Sequence, residues 1–341
     1  MTRLDCMCSR FSPVTEAAAL AAAEWIGKGD GLAGVLAARR AMSDVLASIP
    51  FCGRVAAGRG ADDLGGALGQ GGVTGAAISA TPDGMAEAET AALEDQMWDL
   101  ALAPLEGHGV LARGLDGALS LMAVGPAGSL MQVPEMYMQK LVVSGQAAAA
   151  IDIDVPVGQN IVNVAEALDR RPGDLTVAVL NRPRHDELIE EIKESGARLK
   201  LMDDGDLSAG ISAAAKDSDV DICIGIGGST EGIITAAAMR CLGGEIQARF
   251  WPVSRRQVDT IKKMGIDDVE ATLTSKDMAG EGVLVAATAV TRGRFLRGVE
   301  RGSDGVRTET LVMCSACHKI EMVRTIHRGP DTPFPVGLWT P

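Results

Sequence analysis

Three short stretches of the sequence carry side chains that could do chemistry. In the first, an apolar strand, Leu100–Leu102, runs into the turn at residues 104–108, which presents the carboxylate of Glu106. Hard cations such as Mg²⁺ and Mn²⁺ prefer carboxylate ligands. The second, residues 225–232, is a glycine-rich loop that enters a helix, whose free N–H groups suit an anion. The third, residues 314–318, has a Cys-x-x-Cys-His pattern.

The elements that must position these stretches alternate between strand and helix. Two helices are predicted at residues 12–25 and 32–49, before the glycine-rich stretch at residues 52–72. Further on, apolar runs predict buried strands at 118–125, 175–180, 198–202 and 221–228, with helices at 183–196, 206–217 and 231–244. This spacing predicts an α/β fold with a mostly parallel sheet that is covered on both faces.

Strands and helices alternate regularly only in the second half of the chain, which predicts two domains. We expect an N-terminal α+β domain over residues 1–165 and a C-terminal α/β domain over residues 166–326. The proline-rich tail, residues 327–341, is predicted to be irregular.

Composition excludes several classes of function. The chain has 341 residues, 47% of them hydrophobic, and a formal net charge of −13, which argues against a nucleic-acid ligand. No segment approaches the roughly 20 apolar residues of a membrane span. The N-terminus lacks the apolar stretch of a secretory signal. We therefore expect a cytoplasmic protein whose seven cysteines are reduced.

Seven blocks in order resemble the class II fructose-1,6-bisphosphatases, a branch of the lithium-sensitive, inositol-monophosphatase-like superfamily. The blocks are residues 11–30, 135–143, 181–189, 203–211, 225–232, 277–293 and 308–313. The resemblance spans about residues 11–326. It implies a layered αβαβα sugar-phosphatase sandwich that assembles as a homodimer or homotetramer.

The resemblance also implies a metal site, which this sequence retains only in part. The family holds its Mg²⁺ or Mn²⁺ ions with carboxylates from five places along the chain. Laid onto this sequence, those places fall at Val35, Arg59, Ala103, Glu106 and Glu231. Two carboxylates remain, which predicts that no metal binds tightly. Asp30 or Asp62 could replace one lost ligand, and Mg²⁺ or Mn²⁺ is expected if the chain is an active enzyme.

Residues that help to position the attacking water in the family differ here as well. His108 replaces the threonine of the family's Pro-x-Glu-Gly-Thr run, and Ala61 replaces a glutamate of its glycine-rich loop. Asp63 corresponds to the threonine's catalytic partner. For Arg59 two interpretations are open. Its guanidinium either takes the place of a metal, paired with Glu106 or Glu231, or points to solvent.

The substrate side is better preserved. By resemblance, a sugar phosphate or phosphate would be bound by residues from several blocks: Glu106, Gly107, His108, Tyr137, Arg182, Pro183, Arg184, Asp204, Gly205, Asp206 and Gly228. The alternative is that the two arginines are solvated turn residues and that Tyr137 only packs. His185 is expected near this pocket, at the start of a helix.

Three functions are therefore open. We favour a divergent relative that keeps a sugar-phosphate or anion pocket but has weak or no phosphatase activity. The second is an active, metal-dependent fructose-1,6-bisphosphatase of gluconeogenesis or Calvin-type carbon metabolism with a rearranged metal site. The third is a structural or regulatory subunit that contacts a protein partner.

The Cys-x-x-Cys-His pattern allows two further interpretations beside buried free thiols, which we prefer. One is covalent haem attachment, which normally follows export, and the chain has no export signal. The other is a zinc site of Cys314 and Cys317 with Cys6 and Cys8, which requires the two ends of the chain to meet.

Overall fold

The computed structural model describes residues 7–58, 68–76, 97–216 and 218–328. A 3-10 turn at Met7–Arg10 leads into helix α1, Ser12–Ala23, which has Pro13 in its first turn. Helix α2, Gly31–Ser48, is capped by Asp30, whose Oδ1 accepts a hydrogen bond from the backbone of Ala33 at 2.9 Å. Both helices lie within a residue or two of their predicted bounds.

An eight-stranded sheet forms within the described residues. In space its order is β12-β13-β11-β4-β3-β1-β2, and β14 also pairs with β13. The strands are β1 Cys52–Gly58, β2 Val73–Thr74, β3 Met97–Glu106, β4 Leu119–Pro126, β11 Leu284–Ala289, β12 Glu300–Gly302, β13 Gly305–Cys314 and β14 Lys319–His327. Strands from residues 52–126 and from residues 284–327 thus share this sheet. The domain boundary near residue 165 remains a prediction.

A second sheet of six strands comes from the middle of the described chain. Its order is β10-β9-β5-β8-β6-β7. The strands are β5 Tyr137–Val143, β6 Thr176–Leu180, β7 Arg198–Met202, β8 Ile222–Gly228, β9 Glu245–Trp251 and β10 Leu273–Thr274. The apolar runs predicted as buried strands form β4 and β6–β8, within a residue of their predicted ends. The predicted burial of β7 is wrong, because this strand lies at the edge of the sheet and is partly exposed.

Helices separate and cover the two sheets. They are α3 His108–Ala112, α4 Val157–Ala167, α5 Asp186–Glu194, α6 Asp206–Ala214, α7 Ser229–Leu242, α8 Arg255–Lys263 and α9 Ser275–Met278. Helices α1 and α2 pack on the outer face of the first sheet, and α4 and α5 on the outer face of the second. Helices α6 and α7 lie between the sheets in the largest apolar core. The expected αβαβα layering is confirmed.

Two expectations about the strands are wrong. The sheets are mixed, because β1–β3, β6–β7 and β6–β8 are parallel whereas the other pairs are antiparallel. Strand β3 also does not end before Pro104 but continues to Glu106 through a register shift after Ala103. A bulge absorbs a proline because the extra residue makes no ladder hydrogen bond.

A buried polar network fastens α1 to the first sheet. The Oγ1 of Thr325 donates to Oε1 of Glu16 at 2.9 Å, and the Oγ1 of Thr310 lies 3.4 Å from the same oxygen. The hydroxyl of Thr288 bridges those of Thr310 and Thr15, at 2.8 Å each. Helix α1 is therefore held on strands β11, β13 and β14 by hydrogen bonds as well as by apolar contact.

The network predicts that Glu16→Ala destabilises the protein by about 1–3 kcal/mol, because buried hydroxyls lose their acceptor. Glu24→Ala is the matched control. Glu24 follows the same helix, is exposed and pairs with Arg301, so its loss should cost less than about 1 kcal/mol. Urea midpoints measure both changes, and equal midpoints for the two variants would contradict the role of the network.

Candidate functional site

A cavity of about 740 Å³ opens where the end of β3 meets the ends of β5, β6 and β8. Most of the residues predicted to bind substrate or metal line this cavity: Glu106, Gly107, His108, Tyr137, Arg182, Arg184, Asp204, Asp206, Gly228 and Glu231. Pro183 and Gly205 lie between lining residues in the chain. The structure therefore brings together side chains that lie up to 125 positions apart, from Glu106 to Glu231.

Local structure places each group at the end of an element. Glu106 ends β3, and Gly107 follows with φ of 81°, where an added Cβ would lie 3.0–3.1 Å from Val110 and Ala118. Glu231 lies in the first turn of α7. Arg184 belongs to the 3-10 turn Pro183–His185, which directly follows Arg182 and β6.

Buried charges lie at the floor of the cavity, next to its lining carboxylates. Lys140 is not itself a lining residue, but its partner Asp206 is. The Nζ of Lys140 lies 2.5 Å from Oδ2 of Asp206 and donates to the backbone oxygen of Gly228 at 3.2 Å. Glu106 and Glu231 are both buried, and the backbone N–H of Leu207 donates to Oε1 of Glu106 at 2.8 Å. One ammonium group thus lies among three carboxylates.

The electrostatics follow from this crowding. Burial raises the pKa of Glu106 well above its usual range, and the charges of Asp206, Glu231 and Asp204 raise it further. Burial lowers the pKa of Lys140, but the charges of Asp206 and Glu231 outweigh burial, so that its pKa is raised. Lys140 is therefore a permanent cation at neutral pH, and Glu106 favours a proton or a cation.

The Lys140–Asp206 pair needs a glycine beside it. A Cβ at Gly227 would lie 1.8 Å from Oδ2 of Asp206 and 2.7 Å from Nζ of Lys140. The glycine-rich run in β8, expected from the sequence to serve an anion, also leaves room for this ion pair.

Arginines form another part of the cavity wall. The Nε and Nη2 of Arg184 donate to the backbone oxygen of Ile226, at 3.2 and 2.8 Å, and the guanidinium lies 4.9 Å from the ring centroid of Tyr137. Arg182 donates to its neighbour Asn181 at 3.0 Å. Arg113 pairs with Asp203 at 2.9 Å. The wall offers guanidinium groups of the kind that recognise phosphate.

His185 is structural. It is buried and lines no part of this cavity. The backbone N–H of Ile226 donates to its Nε2, so Nδ1 carries the proton and donates to the backbone oxygen of Leu180, both at 2.8 Å. Burial lowers its pKa, and the nearby charges of Arg184 and Arg182 lower it further. The neutral ring ties the end of β6 to β8.

Other predicted positions lie away from the cavity or outside the described residues. Val35 is on α2 and packs against the core beneath the first sheet. Ala103 is buried in the core between the sheets. Asp30, a possible replacement ligand, caps α2 instead. The predictions for Arg59, Ala61, Asp62 and Asp63 concern positions outside the described residues.

Among the described residues, the carboxylates at the cavity do not form a cluster for several metal ions. Glu106 and Glu231 could bind a cation, and Oε2 of Glu106 is buried with no hydrogen-bond partner among the described residues. Yet in the described part of the chain the one group of three or more His, Cys, Asp or Glu ligand atoms within 4.8 Å of one another consists of cysteines. Lys140 already supplies positive charge here.

Lys140, Arg113 and Asp203 were missed from the sequence. A signal for Lys140 was available, because a lysine in the middle of the apolar run of β5 must find a partner if it is buried. Arg113 and Asp203 gave no such signal, because charged residues near the ends of elements are usually solvated.

A five-layer fold whose two sheets meet at a cavity with carboxylates and arginines is consistent with an α/β phosphatase fold. The sequence profile described as bacterial fructose-1,6-bisphosphatase, glpX-encoded, matches residues 6–327. The chain therefore belongs to this family. No described helix is both long and apolar enough to cross a membrane.

Curated relatives agree with the family. Two of them are proteins of Synechococcus sp. named D-fructose 1,6-bisphosphatase class 2/sedoheptulose 1,7-bisphosphatase. The protein of strain JA-2-3B'a(2-13) is 39% identical over 95% of this chain and 96% of its own. The protein of strain JA-3-3Ab is 39% identical over 92% and 93%. A protein of the same name from Crocosphaera subtropica is 36% identical over 92% and 94%.

The glycine beside the ion pair gives a first test of this geometry. Gly227→Ala should destabilise the protein by at least about 1–3 kcal/mol, because the new methyl group must displace Asp206 or Lys140. Gly158→Ala is the matched control, since nothing lies within 4 Å of a Cβ there. That change should be neutral or stabilise by about 0.5–1 kcal/mol. Similar urea midpoints for both variants would refute the close approach.

His185 gives a pH dependence. Its pKa is lowered in the folded protein, so the unfolded chain binds the extra proton as pH falls below the ordinary value of 6.5. The contribution to stability is complete above that pH and is lost below it, by at most about 1.4 kcal/mol per pH unit. His185→Gln should lack this part of the slope. The same slope in both proteins between pH 7 and pH 5 would show that His185 is not responsible.

Proposed function

We propose that the chain is a divergent member of the class 2 fructose-bisphosphatase family that binds a sugar phosphate or phosphate but hydrolyses fructose 1,6-bisphosphate weakly or not at all. The observation that carries this proposal is the contrast between the two sides of one cavity. The arginines that line the cavity are held in place, whereas the lining carboxylate of Asp206 is paired with the buried Lys140. Among the described residues, the carboxylates do not complete the ligand set that the family resemblance implies.

Binding is supported by charge and orientation. Arg182 and Arg184 reach the cavity from one turn, and backbone contacts and Tyr137 hold the guanidinium of Arg184 in place. Helix α7 begins directly after the lining residue Gly228, but the N–H group of Ser229 donates to the backbone oxygen of Met136 at 2.8 Å. The proposal therefore relies on the arginines rather than on the start of this helix. Held guanidinium groups lose little freedom when they bind phosphate, which favours affinity.

The proposal of weak phosphatase activity is supported by side chains that pack in the apolar cores. Hydrolysis of a phosphate ester needs divalent ions that neutralise phosphoryl oxygens and activate water. Two positions that the family resemblance assigns to ligands, Val35 and Ala103, pack among apolar side chains. The ammonium of Lys140 compensates part of the remaining negative charge, which lowers the affinity of the cavity for a further cation.

A second candidate function is the family's own reaction. The relatives named as fructose 1,6-bisphosphatase and sedoheptulose 1,7-bisphosphatase cover almost the whole chain. Mg²⁺ or Mn²⁺ would then bind to Glu106 and Glu231, with Asp62 as a replacement ligand. The third candidate function is that of a structural or regulatory subunit. The expected assembly is a homodimer or homotetramer. In each case the proposed compartment is the cytoplasm.

Phosphate release separates these candidates. The purified protein is incubated with either bisphosphate and millimolar Mg²⁺ or Mn²⁺, and thermal shifts are recorded for the metal and for the sugar phosphate. We expect a shift with sugar, none with metal, and no release above the background. A bound metal at 100 times its dissociation constant would add about 2.7 kcal/mol. Metal-dependent release would favour the active enzyme, and no shift or release would favour the structural subunit.

Arg182→Ala should weaken binding of fructose phosphates about 10- to 100-fold, because a charge-assisted hydrogen bond contributes about 1.5–3 kcal/mol. Arg171→Ala is the matched control. Arg171 is exposed and pairs with Asp174 at 2.8 Å, outside the cavity. Isothermal titration calorimetry measures both. A dissociation constant that changes equally in the two variants would refute the arginine wall as the anion site.

A further inference from the structure

Three cysteines from opposite ends of the chain meet beside the first sheet. Cys8 lies in the turn Met7–Arg10, Cys314 ends β13, and Cys317 lies in the turn before β14. Their sulfur atoms all lie within 4.8 Å of one another, and those of Cys8 and Cys317 are 3.5 Å apart. The turn Met7–Arg10 therefore meets the β13–β14 hairpin, as a site of these cysteines requires.

The sulfur separations match a metal site. Zinc binds thiolates at about 2.3 Å in a tetrahedral arrangement, which places neighbouring sulfurs about 3.8 Å apart. The two cysteines of the turn are separated by two residues, the spacing with which many structural zinc sites present a pair of thiolates. Distance and sequence spacing thus agree independently.

The turn also directs backbone N–H groups at one of the sulfurs. The N–H groups of Ala316 and Cys317 donate to the sulfur of Cys314, and His318 adopts a left-handed conformation with φ of 54°. The backbone of the turn therefore holds Cys314 in a defined position beside Cys317.

The oxidation state of Cys8 decides when such a site exists. Reduced cysteines were expected throughout, and Cys52, Cys223, Cys241, Cys314 and Cys317 are not in disulfides. Cys8 is disulfide-bonded, so that expectation is wrong there. Its disulfide partner is not one of those five cysteines, so the disulfide does not involve Cys314 or Cys317. Reduction by a phosphine adds two electrons and two protons and yields two thiols.

We propose that, in the reduced protein, Cys8, Cys314 and Cys317 bind one Zn²⁺ that fastens the N-terminal turn to the β13–β14 hairpin. Each thiol loses its proton to the solvent as its sulfur–zinc bond forms. Cys6, expected from the sequence as a fourth thiolate, lies outside the described residues. The site is separate from the cavity and would stabilise the fold whether or not the cavity is catalytic.

Metal titration of the full chain tests the proposal. Protein treated with the phosphine TCEP and stripped of metal is titrated with Co²⁺, and its zinc content after reloading is measured by mass spectrometry. We expect one metal per chain and sulfur-to-cobalt charge-transfer absorption. Cys317→Ser should weaken Co²⁺ binding more than about 100-fold. Loss of a residue that only hydrogen-bonds to a metal ligand typically weakens binding by about 10- to 100-fold, so the larger effect indicates a direct ligand.

Cys241→Ser is the matched control. Cys241 is close to the hairpin, but its thiol lies 3.6 Å from the backbone oxygen of Val283 and is not in the group of three. This variant should bind Co²⁺ like the wild type. The proposal is overturned if the reduced wild type shows no charge-transfer absorption, or if Cys317→Ser and Cys241→Ser bind Co²⁺ equally. The wild-type spectrum decides the question even if a variant fails to fold.

Discussion

The ion pair of Lys140 and Asp206 is the interaction on which the cavity depends. It joins strand β5 to the start of helix α6, and the ammonium also reaches the end of β8. Breaking a buried pair by removing one partner typically costs about 3–5 kcal/mol, because the other charge stays buried. Here Glu106 and Glu231 stand beside the pair, so that loss of the lysine would leave three acids together. The geometry of the cavity floor is therefore fixed by charge balance.

The layered fold makes this arrangement possible. Helices α6 and α7 pack between the sheets, and both begin at the cavity. Their first turns carry Asp206 and Glu231, while the first sheet contributes Glu106 through the bulge in β3. The second sheet contributes Lys140 and the arginine turn. A mixed-charge cavity follows from the meeting of these four elements, each of which is positioned by apolar packing elsewhere.

The sequence predicted local structure well and pairing less well. Strand β7 has the predicted bounds and α6 the predicted start, because apolar runs and turn residues act over a few positions. The antiparallel pairing of β5 with β8 and β9 was missed, because strand direction depends on contacts between distant segments. Most residues that line the cavity could be predicted from the order of the family motifs. The ion pair of Lys140 could not, since its partner Asp206 lies 66 positions away. The contact between Cys8 and the Cys-x-x-Cys turn also joins residues that are far apart in the sequence, by 309 positions, so the sequence offers it only as one alternative.

Membership of the family does not decide whether the chain hydrolyses fructose 1,6-bisphosphate. Calorimetry with this bisphosphate in the presence of EDTA tests most directly the claim that the cavity binds the sugar without hydrolysing it. If the cavity binds the sugar through Arg182 and Arg184 without a metal, titration should give saturable heats that EDTA leaves unchanged. The bisphosphate should then be recovered intact after addition of Mn²⁺. Binding that requires Mn²⁺, followed by release of inorganic phosphate, would contradict the account.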